Sequence, residues 1–161
     1  TVHVGKVSAD DFKIALKGKK ANVIRILKGG VVTKKVVREV ESKDGDVVLE
    51  GTDLCKLAVV ERHHGTGNIG LGLVEGYGLH GGALAITIAH DSHNVIVLGD
   101  SGEAMAKAVE EIKRRSRQYA KRQLTWFRRK EDTEWILLDK MQDFSSVVQI
   151  STDYLREKGL P

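Results

Sequence analysis

Val95-Ile96-Val97-Leu98-Gly99-Asp100-Ser101-Gly102-Glu103-Ala104-Met105 is the junction between two kinds of sequence. Four consecutive apolar residues, three of them β-branched, read as a central strand covered on both faces. Within three residues the period changes. Asp100 or Ser101, followed by Glu103, satisfies the first free amides of a helix, and Met105, Ala108, Val109, Ile112, Ser116, Tyr119, Ala120 and Gln123 then recur near every 3.6 residues. This spacing predicts one long amphipathic helix running to about Leu124.

Upstream of the junction the chain is a series of Val- and Ile-rich runs: Asn22 to Leu27, Val31 to Val40, Asp46 to Leu49, Leu57 to Glu61, Ala83 to Ile88 and Asn94 to Leu98. Lys28-Gly29-Gly30, Lys43-Asp44-Gly45-Asp46 and His80-Gly81-Gly82 supply the turns, and 16 of the 17 glycines precede residue 103. A strand-like alternation also opens the chain at Thr1. Downstream, Thr125-Trp126-Phe127 reads as a turn, Glu134 to Asp139 as a short strand, and Ser145 to Lys158 as a last helix. The expected fold is mixed α/β: a mostly β N-terminal two-thirds, a long amphipathic helix and a small α/β tail.

With 161 residues and 17.7 kDa the expectation is one domain, or two very small ones, too short for a complete barrel enzyme. A content of 41% hydrophobic and 30% charged residues supports a core and excludes a disordered chain. No stretch approaches the roughly 18 apolar residues of a membrane span. Cys55 stands alone, so no internal disulfide forms and a reducing, cytoplasmic setting is expected. No secretory signal precedes the first strand, and the absence of an initial Met suggests a fragment.

The net charge of +4 is unevenly placed. Between Lys113 and Lys130 lie nine basic residues and no acid, leaving the rest of the chain mildly acidic. Arg114 to Arg129 joins this cationic helix to Trp126 and Phe127, which suits phosphate contacts supplemented by stacking on unpaired bases. The other reading is a solvated helix face with the two aromatics in a small core.

Two polar segments interrupt the apolar first half: Glu61-Arg62-His63-His64-Gly65-Thr66-Gly67-Asn68-Ile69-Gly70 and Ala89-His90-Asp91-Ser92-His93-Asn94. His90, Asp91 and His93 are the residue types that ligate a divalent metal, although both histidines reach one ion only from a loop. A hydrogen-bonded strand end is the alternative. The glycine spacing of Gly65 to Gly70 matches a dinucleotide turn, but the glycines at every second residue from Gly70 are poor helix material, so a glycine-rich loop between close backbones competes with it.

Residues 57–72, Leu57 through Val60-Glu61-Arg62-His63-His64-Gly65-Thr66-Gly67-Asn68 to Gly72, together with Ala89-His90-Asp91-Ser92-His93-Asn94 and the strand after it, resemble the C-terminal domain of bacterial and archaeal adenine deaminases. The resemblance spans about residues 1–109. It implies hydrolysis of adenine to hypoxanthine and ammonia with Mn or Fe held in an amidohydrolase barrel that lies outside this chain. Arg62, His64, Asp91, His93 and Asn94 are then candidates for a wall of the active site, or else side chains that only knit the domain together. His90 and His93 remain weak metal candidates.

Arg117-Gln118-Tyr119-Ala120-Lys121-Arg122-Gln123-Leu124-Thr125-Trp126-Phe127-Arg128, followed by Trp135, resembles the C-terminal part of tRNA dimethylallyltransferase, over about residues 110–161. That likeness implies contact of Lys121, Arg122, Gln123, Thr125, Trp126 and Arg128 with a tRNA anticodon stem-loop. The phosphate loop and the catalytic acid of that family are missing from this sequence, so prenyl transfer is not expected. The two resemblances together describe a hybrid, a chimera joined near Val109 to Ile112. Three roles are therefore expected to compete: part of an adenine deaminase, an RNA-binding module, and a structural or homo-oligomerising domain.

Overall fold

The computed structural model describes residues 2–140 and 143–159. The chain divides into two compact units, Thr1–Tyr119 and Ala120–Pro161. The first is built on eight strands: β1 (Lys20–Ile26), β2 (Thr33–Glu39), β3 (Ser42–Lys43), β4 (Asp46–Val47), β5 (Leu54–Val60), β6 (Ile69–Glu75), β7 (Ala83–Ile86) and β8 (Val95–Gly99). Six of them form one sheet in the order β2-β1-β6-β5-β8-β7, in which β1 and β6 run parallel and the other neighbours antiparallel. β3 and β4 make a separate hairpin, turned by Asp44 and Gly45 at φ 52° and 78°. Two consecutive positive φ values are those of a type I′ turn, which matches strand twist and accounts for the Asp-Gly pair.

The continuous apolar runs occupy two adjacent interior positions, β5 and β8. One sheet face meets helix α1 (Gly102–Phe127) and a 3₁₀ turn (Ala9–Phe12), burying Phe12, Ala58, Val60, Val95, Val97, Met105 and Val109 together. A second cluster, Ala21, Val23, Val40, Val47, Leu54 and Leu73, continues this layer under β1 and the hairpin. Within it Lys56, only 2% exposed, donates to Asp46, whose other carboxylate oxygen accepts from the amides of Ile14 and Val47, each at 2.9 Å. Coverage of the opposite face is partial: Cys55, Val74 and Leu98 are buried under Leu79, while Leu57, Val59 and Ile96 remain half-exposed. The expectation of strands covered on both faces therefore holds for one face only.

Ser101 caps α1, its Oγ accepting from the Ala104 amide at 3.3 Å. Asp100 turns away to the amides of Gly81 and Gly82 and so ties the start of β7 to the end of β8. The helix is amphipathic only in its first half, since every residue from Arg117 to Lys130 is exposed. It also runs through Thr125-Trp126-Phe127, where a turn was expected, because nothing in that segment breaks the 3.6 period.

β6 departs from the loop expected of its glycines: Ile69 to Glu75, Gly70 and Gly72 included, pair along the whole of β5. With β6 a strand, Gly65 to Gly70 leads into no helix, and the dinucleotide turn is not formed. The N-terminal alternation describes an extended segment rather than a strand in the described residues: Val2, Val4 and Val7 pack on the core, and the His3 amide reaches the Arg62 carbonyl at 3.1 Å. In the second unit no strand forms at 134–139, where Leu138–Lys140 is a 3₁₀ turn. α2 (Phe144–Glu157) is present as expected, capped by Asp143, which accepts from the Ser146 amide at 2.8 Å. No described residue from Ala120 onward is buried, so that unit has no sheet to cover and a lone strand there has no partner.

Candidate functional site

Both polar segments lie at the same end of the sheet, because the segment 61–68 leaves the end of β5 and the segment 87–94 enters the start of β8, paired through Val60 and Val95. Glu61 organises the first. Its carboxylate accepts from the amides of His63, His64 (2.8 Å) and Thr66 (3.0 Å) and from the Thr66 hydroxyl (3.0 Å). The amides of Thr66 and His64 are the main reason its pKa falls from the ordinary 4.5 to about 2, against the opposing effect of desolvation. The loop closes with the Glu61 amide on the Asn68 carbonyl at 3.0 Å, and Gly65 and Gly67, at φ 66° and 76°, permit the reversal.

The second loop is joined to the first at two points. Arg62 Nε donates to the His93 carbonyl, and His63 Nε2 meets the Ser92 carbonyl at 2.9 Å. His93 sits at φ 51° with its amide on the Ala89 carbonyl at 2.7 Å, a left-handed position uncommon for a residue with a side chain. Asn94 Oδ1 is buried without a hydrogen-bond partner among the described residues, which leaves an acceptor unsatisfied at the loop's base.

Of the five wall candidates, Arg62, His93 and Asn94 are therefore brought into one hydrogen-bonded loop pair, although His93 contributes its backbone. His64 is exposed, and Asp91 is fully exposed and faces only His90, whose Nδ1 lies 3.2 Å from its Oδ1. Among the described residues no three His, Cys, Asp or Glu side chains converge on a point that would hold a metal ion. The weak candidates His90 and His93 thus find no third ligand, and the donor set present does not fit a Mn or Fe centre. Cys55 is no nucleophile in waiting, since burial raises its thiol pKa.

Sequence reasoning passed over Glu61 and His63, which hold the loops together. The signal was present: a carboxylate at a strand end, followed by a glycine-rich reversal whose amides have no strand to pair with.

The basic segment begins already paired. Glu110 holds Lys113 at 2.8 Å, and Glu111 holds Arg114 and Arg115, both at 2.6 Å. Further along, Lys121, Arg122, Gln123 and Arg128 make no side-chain hydrogen bond or ion pair among the described residues. Thr125 bonds back to the Lys121 carbonyl at 2.9 Å. Trp126, 56% exposed, meets Phe127 edge-on at 4.8 Å and carries the Lys130 ammonium 5.0 Å from its ring. The two aromatics are thus a surface pair rather than a small core.

Sheet, helix and joined loops define a mixed α/β domain, and comparison with known sequences places it. Residues 30–116 match the model of the adenine deaminase C-terminal domain, and the chain belongs to that family. The adenine deaminase of Methanothrix thermoacetophila is 41% identical over 107 residues, which is 66% of this chain and 19% of that protein. That of Clostridium acetobutylicum is 44% identical over 115 residues, 71% of this chain and 20% of the relative. Adenine deaminase 2 of Desulfotalea psychrophila reaches 48% over 107 residues, with 65% and 19% covered. The chain therefore spans about a fifth of the length of these relatives. The family match runs to residue 116, past the expected join near Val109 to Ile112 and into the stretch of about residues 110–161, whose likeness to tRNA dimethylallyltransferase these comparisons do not support. No helix among the described residues is long and apolar enough to cross a membrane.

Proposed function

We propose that this chain serves as the C-terminal part of a metal-dependent adenine deaminase, which converts adenine and water to hypoxanthine and ammonia. The observation that carries the reading is the 41–48% identity to proteins of that name over 107–115 residues, about two-thirds of the chain. Mn or Fe and the groups that ligate it belong to the amidohydrolase barrel of such an enzyme. The part assigned to this chain is a wall at the joined loops, where the Arg62 guanidinium offers donors to a purine, with His64, Asp91, His93 and Asn94 around it. The buried thiol of Cys55 suits a reducing cytoplasm.

The test is to replace the matched region of the Clostridium acetobutylicum enzyme by residues 1–116 of this chain and measure ammonia release from adenine. Retained turnover is expected, with Arg62→Ala and Asn94→Ala raising KM for adenine while the melting temperature stays within a few degrees. An exchange protein that folds and releases no ammonia would refute the reading.

A second role is favoured by one observation, the row of solvent-facing cations from Lys121 to Lys130 beside an exposed Trp126. On this reading Lys121, Arg122, Gln123, Thr125, Trp126 and Arg128 bind single-stranded RNA such as a tRNA anticodon loop. Lys121→Ala with Arg122→Ala would then lower the slope of log K against log salt by about 1.4, two phosphates at roughly 0.7 each. Unchanged binding and slope in the double variant would sink it.

A further inference from the structure

Over four strands of the main sheet, β6, β5, β8 and β7, charge is distributed in the reverse of what water requires. An antiparallel sheet with one face solvated puts polar residues on that face. Here Lys56 and Glu75 point, by register, to the face that carries the main core, whereas the opposite face of β6, β5, β8 and β7 bears no charged residue at all. Its rows run through Gly72, Leu57, Leu98 and Leu84, and then through Gly70, Val59, Ile96 and Ile86. Leu84 and Ile86 are 44% and 40% exposed, and Ile88, in the loop beyond, is 86% exposed. An apolar surface of this continuity marks an interface rather than a solvated face.

The two glycines add a shape. A Cβ built on Gly70 or Gly72 meets nothing within 4 Å, so neither is glycine for want of room inside this domain. Glycine in a strand interior weakens the strand, and a common reason for keeping it is the close approach of another backbone. Two residues apart on β6, the pair leaves no side chain above the sheet beside Leu57 and Val59.

We infer that this face is the seat of the preceding four-fifths of the deaminase polypeptide, docked within one chain. The inference rests on the proposed function. The relatives carry the matched region as the C-terminal fifth of a longer chain, so a covalently attached occupant is always at hand. A charge-free face is also what permanent interfaces favour, since they resemble a domain core cut in half. The joined loops border the same face at the Gly70, Val59, Ile96 and Ile86 row. Docking there sets their rim beside the attached part.

The experiment uses single cysteines in the isolated chain and in the exchange protein described above. Ile86→Cys and Gly72→Cys report on the face, Lys107→Cys on the exposed side of α1, and maleimide labelling is read peptide by peptide by mass spectrometry. Labelling at 86 and 72 is expected to slow at least about tenfold on going from the isolated chain to the exchange protein, with position 107 unchanged. Equal labelling in both overturns the proposal. Protection already present in the isolated chain, and lost on dilution, also overturns it and assigns the face to a second copy. Gly72→Lys provides a second measure: it leaves the melting of the isolated chain unchanged and splits the melting of the exchange protein into two transitions. A single unchanged transition counts against docking. Protection without ammonia release keeps the docking and removes the proposed function, while ammonia release without protection does the reverse.

Discussion

The pair Lys56 and Asp46 offers a quantitative test of how the domain is held. The Lys56 side chain is 2% exposed and that of Asp46 27%, so the two ends of this ion pair are unequal. Asp46 also fastens two segments, accepting the Ile14 amide from 32 residues away and the Val47 amide, each at 2.9 Å. Lys56→Met removes the ammonium and keeps an apolar stem, leaving Asp46 near water with both amides. The expected cost is about 1–2 kcal/mol. Asp46→Ala strands a buried ammonium and orphans the Ile14 amide, and its expected cost is about 3–5 kcal/mol. The double variant has no buried charge to strand, so it is expected to be more stable than the sum of the singles by about 2 kcal/mol or more. Urea unfolding followed by far-UV circular dichroism, with the slopes compared, measures all three. Acid adds an independent check. Desolvation pushes the Asp46 carboxyl up, but the Ile14 amide and the Lys56 ammonium outweigh it and its pKa lies below the ordinary 3.8. Its contribution is therefore complete above that value and lost as pH falls through the folded one, and Asp46→Ala lacks this acid-sensitive component. An Asp46→Ala variant no less stable than Lys56→Met, or strict additivity, would refute the reasoning.

Three further outcomes are expected. The Glu61 carboxyl, followed by carbon-detected NMR, titrates near pH 2, and its contribution to stability is complete above pH 4.5 and lost as pH falls toward 2; a midpoint at the ordinary 4.5 would mean that the amides of His63, His64 and Thr66 do not hold it. Gly102→Ala lowers stability by about 1–3 kcal/mol, because the new methyl would lie 2.5 Å from the Ala9 backbone oxygen, and this exceeds the gain of about 1 kcal/mol in helix propensity; a raised melting temperature would contradict it. Gly45→Ala costs about 1 kcal/mol by forcing a side chain to φ 78° in the hairpin turn, and an unchanged urea midpoint would count against the type I′ assignment.

Much of this molecule is legible in local sequence. Apolar runs marked six of the eight strands, the Asp-Gly pair marked the β3–β4 turn, and the change of period at Asp100 marked α1, because side-chain alternation and helical spacing are properties of neighbouring residues. The family was legible too, through the motifs at 57–72 and 89–94. β6 was not, since Ile69-Gly70-Leu71-Gly72-Leu73 has little strand propensity of its own and is held by hydrogen bonds to β5 and β1. The tail strand failed for the converse reason, having propensity and no partner. At the candidate site the sequence supplied Arg62, His93 and Asn94 but not the roles of Glu61 and His63, which exist only once β5 and β8 pair and bring two distant loops together. Periodicity determined which residues are apolar. Only the tertiary structure decided which of them are covered, because burial depends on what packs above a strand, and that is a non-local fact no single stretch of sequence contains.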